Sequence, residues 1–422
     1  MKAWVFVLLA LFSRTGLSAD ALTLSYDELG DLIQKNNKSV QGSIEAIAAA
    51  RQRVGTLEQT FLPKFGVEAG IAEQREANGV GDTAPFWKID VSANIYRGGR
   101  DDLGILVRES QVLIREMDNQ AQFRAELFKA KLDYVRLNSV RQAINLTQSS
   151  TDDYDGIRKS ILVKAGAGLM TTTSAQAIQL ELDELRRQLI ILKREEVELE
   201  ERLALVLGLE QEQKLTLTTA QINTNSSWIP VVTEEDIQGL PEVKKYSLLA
   251  RSSSLEAKVR NEWWRPDVSI FAAVTGFNVD DKNEFRSLPE REMNFGVRLS
   301  VDLETKRTFG SELIAKQSDV ASLASQGEYL RRDVEHKVHE YRREMEVQAD
   351  LSRTFEQGVA RAEKLLKQMR GEFERGIGSN SDITGIIRTL YQLKRNRIES
   401  VMDYHLSLAG LETMSDASFA EK

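Results

Sequence analysis

Cysteine is absent from the 422 residues. Its absence excludes thiol catalysis, thiolate metal sites, disulfide staples and lipid attachment at an N-terminal cysteine. Proline is scarce, limited to Pro63, Pro85, Pro230, Pro241, Pro266 and Pro289. Two proline-free reaches follow, 86–229 and 290–422, and Glu, Lys, Arg, Gln, Leu and Ala fill them, the composition of long helices. An excess of positive charge is also missing. The formal net charge is −8 with acids and bases intermixed, which excludes the basic footprint of a nucleic-acid binder. Long apolar runs are confined to the N-terminus. Hydrophobic content of 41% still argues against disorder and allows a core or an interface.

The N-terminus reads as a secretory signal peptide over 1–19, with cleavage as late as 21. Lys2 precedes the apolar run Ala3 to Phe12, and Gly16-Leu17-Ser18-Ala19 supplies small residues. Ser13-Arg14 ends the run before the ~20 residues of a membrane anchor. The mature chain is therefore expected to be exported.

Internal similarity organises the remainder. Phe61-Leu62-Pro63-Lys64-Phe65-Gly66-Val67 and Trp263-Trp264-Arg265-Pro266-Asp267-Val268 each place a proline before an alternating apolar run, a helix end followed by a strand. Ile89–Tyr96 and Val297–Glu304 alternate strictly. Ile89 to Val297 and Gly168 to Gly376 are both separations of 208 positions, which implies a tandem duplication. After the second strand of each half come roughly 65 residues of helical pattern, about 100 Å if continuous. Seven-residue spacing recurs at Leu182, Leu185, Leu189, Leu192, Glu196, Leu199, Leu203 and Val206. It recurs again at Ile383, Ile386, Leu390, Leu393, Arg397, Val401, Tyr404, Leu408 and Leu411, so the helices should pack through interdigitating seams.

The expected fold is mainly α with a small β part: a duplicated helix, strand, strand, long helical hairpin. The first repeat covers 20–208, an irregular connector with one short strand 209–240, the second repeat 241–411, and a tail 412–422. Strands are expected at 65–73, 88–96, 268–277 and 295–303, with polar loops at 73–85 and 278–291. Hairpin tips are expected at 166–174 and 374–382. Each strand has the 9–11 residues that cross a bilayer at a tilt, with aromatic residues at the ends. The apolar face carries Val91, Ile95, Val268, Ile270, Val297 and Leu299. The same pattern also fits a half-buried sheet in a soluble protein. If the strands span lipid, four cannot close and several copies must share one barrel, three giving twelve strands.

The arrangement resembles the TolC-like outer-membrane efflux family over nearly the whole mature chain. Leu24-Ser25-Tyr26-Asp27-Glu28-Leu29 and Asn36 to Val40 resemble its first helix and Asn-Pro-x-Leu element, with Lys38 in place of proline. Leu240-Pro241-Glu242-Val243 is similar to the second such element. Gly376, Ser379 and Asp382 fit the family's tip pattern. Gly168 and Thr171 fit it too, but Ser174 replaces the acid. Leu207-Gly208-Leu209 and Ala409-Gly410-Leu411 fit helix ends with a glycine cap. In the second half Lys306-Arg307 replace the glycines seen at Gly98-Gly99, and Asp302 and Glu304 replace a proline and an apolar residue.

The resemblance implies a homotrimeric passive exit duct of a tripartite efflux or type I secretion system. A shared 12-stranded β-barrel in outer-membrane lipid would continue as a periplasmic α-helical tunnel. Its partners would be a periplasmic adaptor protein and an inner-membrane pump. Gly168, Leu169, Thr171, Gly376, Ile377 and Ser379 would dock the adaptor. Asp382 either caps its helix or, in three copies, rings a tunnel mouth as a gate. Gly385 stands where some relatives carry a second acid, so a cation should bind weakly there. The alternative is a soluble periplasmic or extracellular coiled-coil scaffold without a channel. No catalytic, cofactor or metal residues are assigned. His336 and His339 lie three apart but lack a third ligand, and their segment is densely charged.

Overall fold

The computed structural model describes residues 22–58, 61–75, 81–167, 172–209, 215–218, 229–262, 264–277, 290–301, 306–375 and 379–415. The elements are β1 (Leu22–Leu24), α1 (Leu29–Asn36), α2 (Lys38–Glu58), β2 (Lys64–Arg75), β3 (Gly81–Arg97), α3 (Arg100–Gly166), α4 (Thr172–Leu207), β4 (Leu215–Leu217), α5 (Glu234–Gly239), α6 (Pro241–Asn261), β5 (Asp267–Phe277), β6 (Glu290–Ser300), α7 (Lys306–Glu374) and α8 (Asn380–Ser415). The order helix, helix, strand, strand, long helix, returning helix occurs twice. The expected signal peptide, Gly168, Leu169, Thr171, Gly376, Ile377, Asp302 and Glu304 lie outside the described residues.

The boundaries follow from capping and from proline. Pro241 opens α6, where a missing N–H costs nothing. Thr233 and Asp236 form a reciprocal capping box that starts α5. α5 falls inside the segment expected to be an irregular connector. With only Ile237 buried in six residues, it carries no readable periodicity. The expected short strand is β4, which pairs in parallel with β1.

The structure divides into two compact units. One holds Gly42–Gln122 and Thr233–His336. Its sheet has the order β2-β3-β5-β6, and all three pairings are antiparallel. The β2–β3 ladder runs out to Arg75 opposite Gly81, so most of the expected loop at 73–85 is strand. β6 lies earlier than the expected 295–303. Its register on β5, from Asp267 opposite Ser300 to Phe277 opposite Glu290, overrides the alternation that continues through Leu303. Between Asn94 and Tyr96 the β3 register shifts, and a bulge places Ile95 beside Tyr96. Gly98 and Gly99 adopt positive φ at the turn into α3, and the Gly98 carbonyl accepts a hydrogen bond from Arg265 at 3.1 Å.

The other unit holds Phe123–Val232 and Lys337–Asp416 together with the chain up to Gln41. Its core is an apolar seam from four helices: Tyr154, Ile157 and Ile161 of α3, Ile178, Leu182 and Leu185 of α4, Ala362, Leu366 and Phe373 of α7, and Ile383, Ile387 and Leu390 of α8. Each fully buried aliphatic side chain contributes about 1.5–3 kcal/mol. The heptad positions Leu192, Leu199, Leu203, Tyr404, Leu408 and Leu411 are likewise buried. The two charged residues in the repeats are paired to neighbouring helices, Glu196 with Arg141 at 2.9 Å and Arg397 with Glu356 at 3.1 Å.

Gly208 ends α4 with φ +66°. Its N–H donates to Leu205 and the Leu209 N–H to Ala204, satisfying the last carbonyls. Against this end sits Asn37, whose amide donates to the Val206 carbonyl at 2.7 Å while its carbonyl oxygen accepts from the N–H groups of Ser39 and Val40. Gly410 differs from expectation. It lies inside α8, which continues to Ser415, and its bare surface faces the Tyr341 ring. Tertiary packing, not capping, accounts for that glycine.

Candidate functional surfaces

Cross-strand partners in a sheet share a face, so the register sorts the residues directly. Phe65, Val91, Ala272 and Phe295 form one row. Val67, Ile89, Val274 and Met293 form the next. Ala93, Ile270 and Val297 form a third row, and Tyr96, Val268 and Leu299 a fourth. All of these lie on one face. The interleaved rows, including Glu68 with Lys88, Gly66 with Asp90, and Asn94 with Ser269 and Arg298, lie on the other. Over these rows one face is apolar, and its reverse carries the charged and polar side chains together with Phe86, Phe271 and Ala273.

The apolar face is bare. Val67 is 80% exposed, Phe295 84% and Val297 68%. Of the six face residues singled out from sequence, Ile95, Ile270, Val297 and Leu299 are exposed, while Val91 and Val268 are half-buried among their neighbours. Phe65 and Met293, not singled out, are more exposed than any of the six and share the same parity. A contiguous apolar patch of this kind is rare on a soluble monomer. Among the described residues, β2 and β6 each keep one unpaired edge. Because three antiparallel pairings separate them, β2 and β6 run in opposite directions, so a second sheet added edge to edge would continue the antiparallel ladder.

The hairpin ends form the second surface. Ser379 is exposed just before α8, and its hydroxyl accepts the Ser381 N–H at 3.3 Å. Asp382 is exposed in the first turn, where its carboxylate accepts from the Ser381 hydroxyl at 3.4 Å. Behind these residues, polar links join the two hairpins. Lys164 donates to the Phe373 carbonyl and lies 3.8 Å from its ring centroid, Arg370 pairs with Asp153 at 2.7 Å, and Arg388 pairs with Glu181. Tyr154 donates to the Thr384 carbonyl at 3.3 Å. Burial, with the Glu181 charge nearby, pushes its hydroxyl up to about 12, so it stays protonated. A groove of about 520 Å³ between α4 and α8 is lined by Tyr154, Leu185, Leu192, Arg388 and Tyr391.

No group of three His, Asp or Glu side chains with metal-site geometry occurs among the described residues. His336 and His339 lie on α7. His405, on α8, is the histidine whose environment changes its chemistry: burial lowers it to about 4, and its Nε2 is buried without a partner among the described residues.

No family model matches the chain. By sequence it is 25% identical over 376 residues to type I cytoskeletal keratin 20 of Rattus norvegicus, covering 84% of this chain and 77% of that protein. Long Leu/Glu/Lys/Arg helices with seven-residue spacing align with other helix-rich chains whatever the fold. Solved structures are far more similar in fold. CusC, described as forming a transmembrane channel, superposes with TM-score 0.78 at 12% identity, covering 96% of this chain and 95% of that one. The outer-membrane protein VceC of Vibrio cholerae gives 0.73 at 12%, covering 92% and 96%. The open MtrE outer-membrane channel of Neisseria gonorrhoeae gives 0.73 at 12%, covering 92% and 88%. Most of the described chain is helix, with a four-stranded sheet as its main β part. The fold of this chain is that of the TolC-like outer-membrane channels.

Proposed function

We propose that the protein is a passive exit duct of the outer membrane in a tripartite efflux or type I secretion system. The observation that carries this reading is the bare apolar sheet face bounded by two unpaired edges. Water penalises that face, and lipid penalises the edges, since each unsatisfied backbone group costs several kcal/mol there. Only closure with further copies inside a membrane removes both penalties. Three copies make a twelve-stranded antiparallel barrel, with Val91, Ile95, Val268, Ile270, Val297 and Leu299 facing lipid and the helices forming the periplasmic tunnel. The fold neighbours named as outer-membrane channels support this reading.

In the same reading Gly168, Leu169, Thr171, Gly376, Ile377 and Ser379 dock a periplasmic adaptor, which couples the duct to an inner-membrane pump. Asp382, exposed at the start of α8, lines the tunnel mouth as a gate. Transport through such a duct requires no catalytic constellation. The keratin likeness favours a coiled-coil scaffold, but a scaffold leaves the apolar sheet face without a partner. Fractionation tests the reading: the mature protein should be found in the outer membrane and extract as a trimer. A soluble monomer would sink it.

A further inference from the structure

The polar face of the sheet distributes its charge unevenly. Glu68 lies directly across from Lys88, whose ammonium is 3.7 Å from Asp90, and Asp267 is bound by Arg100. Asp90 and Asp267 therefore each have a cation, while Glu68 faces the same Lys88 by register alone. Lys64 and Arg298 do not complete the pattern. Both are exposed, and neither makes an ion pair among the described residues. The register puts them on the polar face: Lys64 shares a row with Ser92 and Phe271, and Arg298 lies across from Ser269 in the adjoining polar row. The two residues stand on the two edge strands, near the end of the sheet where β2 begins and β6 finishes.

Arg298 is also held in place. Its guanidinium lies 4.6 Å from the centroid of the Phe271 ring. Stacking on an aromatic face fixes the guanidinium plane and leaves its in-plane N–H donors free for a carboxylate, sulfonate or phosphate. Joining β6 of one copy to β2 of the next brings Arg298 and Lys64 to the same seam.

We propose that these two residues form a cationic collar at the helix-side mouth of the barrel lumen, selecting anionic solutes, with Arg298 the specificity-determining residue. The inference rests on the barrel reading above and adds the charge class of its cargo.

The chain contains no cysteine, so Ser269→Cys, directly across from Arg298, would carry its sole thiol. Assembled protein in outer-membrane vesicles is treated with anionic and cationic methanethiosulfonates of matched size, and the rate ratio is referred to that of a free thiol. One guanidinium at cross-strand distance, partly screened by salt, should favour the anionic reagent about threefold. In the K64Q/R298Q background the preference should vanish at equal levels of assembled protein. A ratio that matches the free thiol, or that survives the double substitution, overturns the collar and leaves the barrel standing. If Ser269→Cys is unreactive while Ile270→Cys on the apolar face reacts, the polar face is not the aqueous one, and the barrel reading fails together with the collar.

Discussion

Gly208→Ala tests how the end of α4 is held. The φ of +66° disfavours any Cβ-bearing residue there by about 1–2 kcal/mol. The added Cβ would also lie 2.4 Å from the Asn36 carbonyl oxygen and 2.6 Å from its carbon. These are backbone atoms, so the α1–α2 junction itself has to move. That movement pulls Asn37 from the Val206 carbonyl and strains its cap on Ser39 and Val40. Losing one net hydrogen bond and one cap costs about 1 kcal/mol each. The sum is about 3–4 kcal/mol. Gly55→Ala is the control, since a Cβ there meets nothing within 4 Å and should be neutral or mildly stabilising. Guanidinium unfolding of the detergent-solubilised protein, followed by helical circular dichroism, should show a clearly lower midpoint for Gly208→Ala alone. Equal midpoints for the two variants would refute the argument.

Three further outcomes are expected. Val91→Arg and Val297→Arg should lower the yield of assembled protein in the outer membrane, because a cation at mid-bilayer costs about 2–4 kcal/mol in such barrels; normal yields from both would reject the lipid-facing assignment. Bulky polar residues at Gly168 and Gly376 should leave the oligomer intact while abolishing crosslinking to the adaptor, and unchanged crosslinking would remove the tips as the docking surface. His405, lowered to about 4 in the fold from an ordinary 6.5, takes up a proton more readily when unfolded. Its contribution is therefore complete above pH 6.5 and declines as pH falls toward 4, by at most about 3 kcal/mol. His405→Leu should flatten this part of the unfolding-midpoint profile relative to the wild type, and identical profiles would contradict the buried, neutral imidazole.

Elements with a long period were legible in the sequence, and short elements with distant partners were not. Alternation located the strands because one face of the sheet is apolar throughout, as the Val67 and Ile89 rows illustrate. It misplaced the ends of β6, where pairing with β5 rather than side-chain pattern decides the register. The seven-residue spacing identified Leu182, Leu199 and Leu203, all buried. β4 is the short strand expected in the connector, but its three-residue partner β1, far off along the chain, gives no local signal. α5 falls in the segment expected to be an irregular connector, because a six-residue helix has too few apolar positions to reveal a face. Gly410 read as a helix end because nothing local reveals the Tyr341 ring above it. The cation–aromatic pair of Arg298 and Phe271 joins two strands and emerges only from their register.

The central claim is that the free edges of β2 and β6 meet in a closed ring of three copies. Because the chain has no native cysteine, one cysteine on each edge strand makes the test direct. A panel pairing Phe65→Cys or Val67→Cys with Phe295→Cys, Val297→Cys or Leu299→Cys would be oxidised in outer-membrane vesicles and separated without reductant. The account predicts that at least one pair yields covalent dimer and trimer and nothing larger, since a closed ring has no further edge to join. Monomer alone from every pair, or a ladder continuing past three copies, would contradict it.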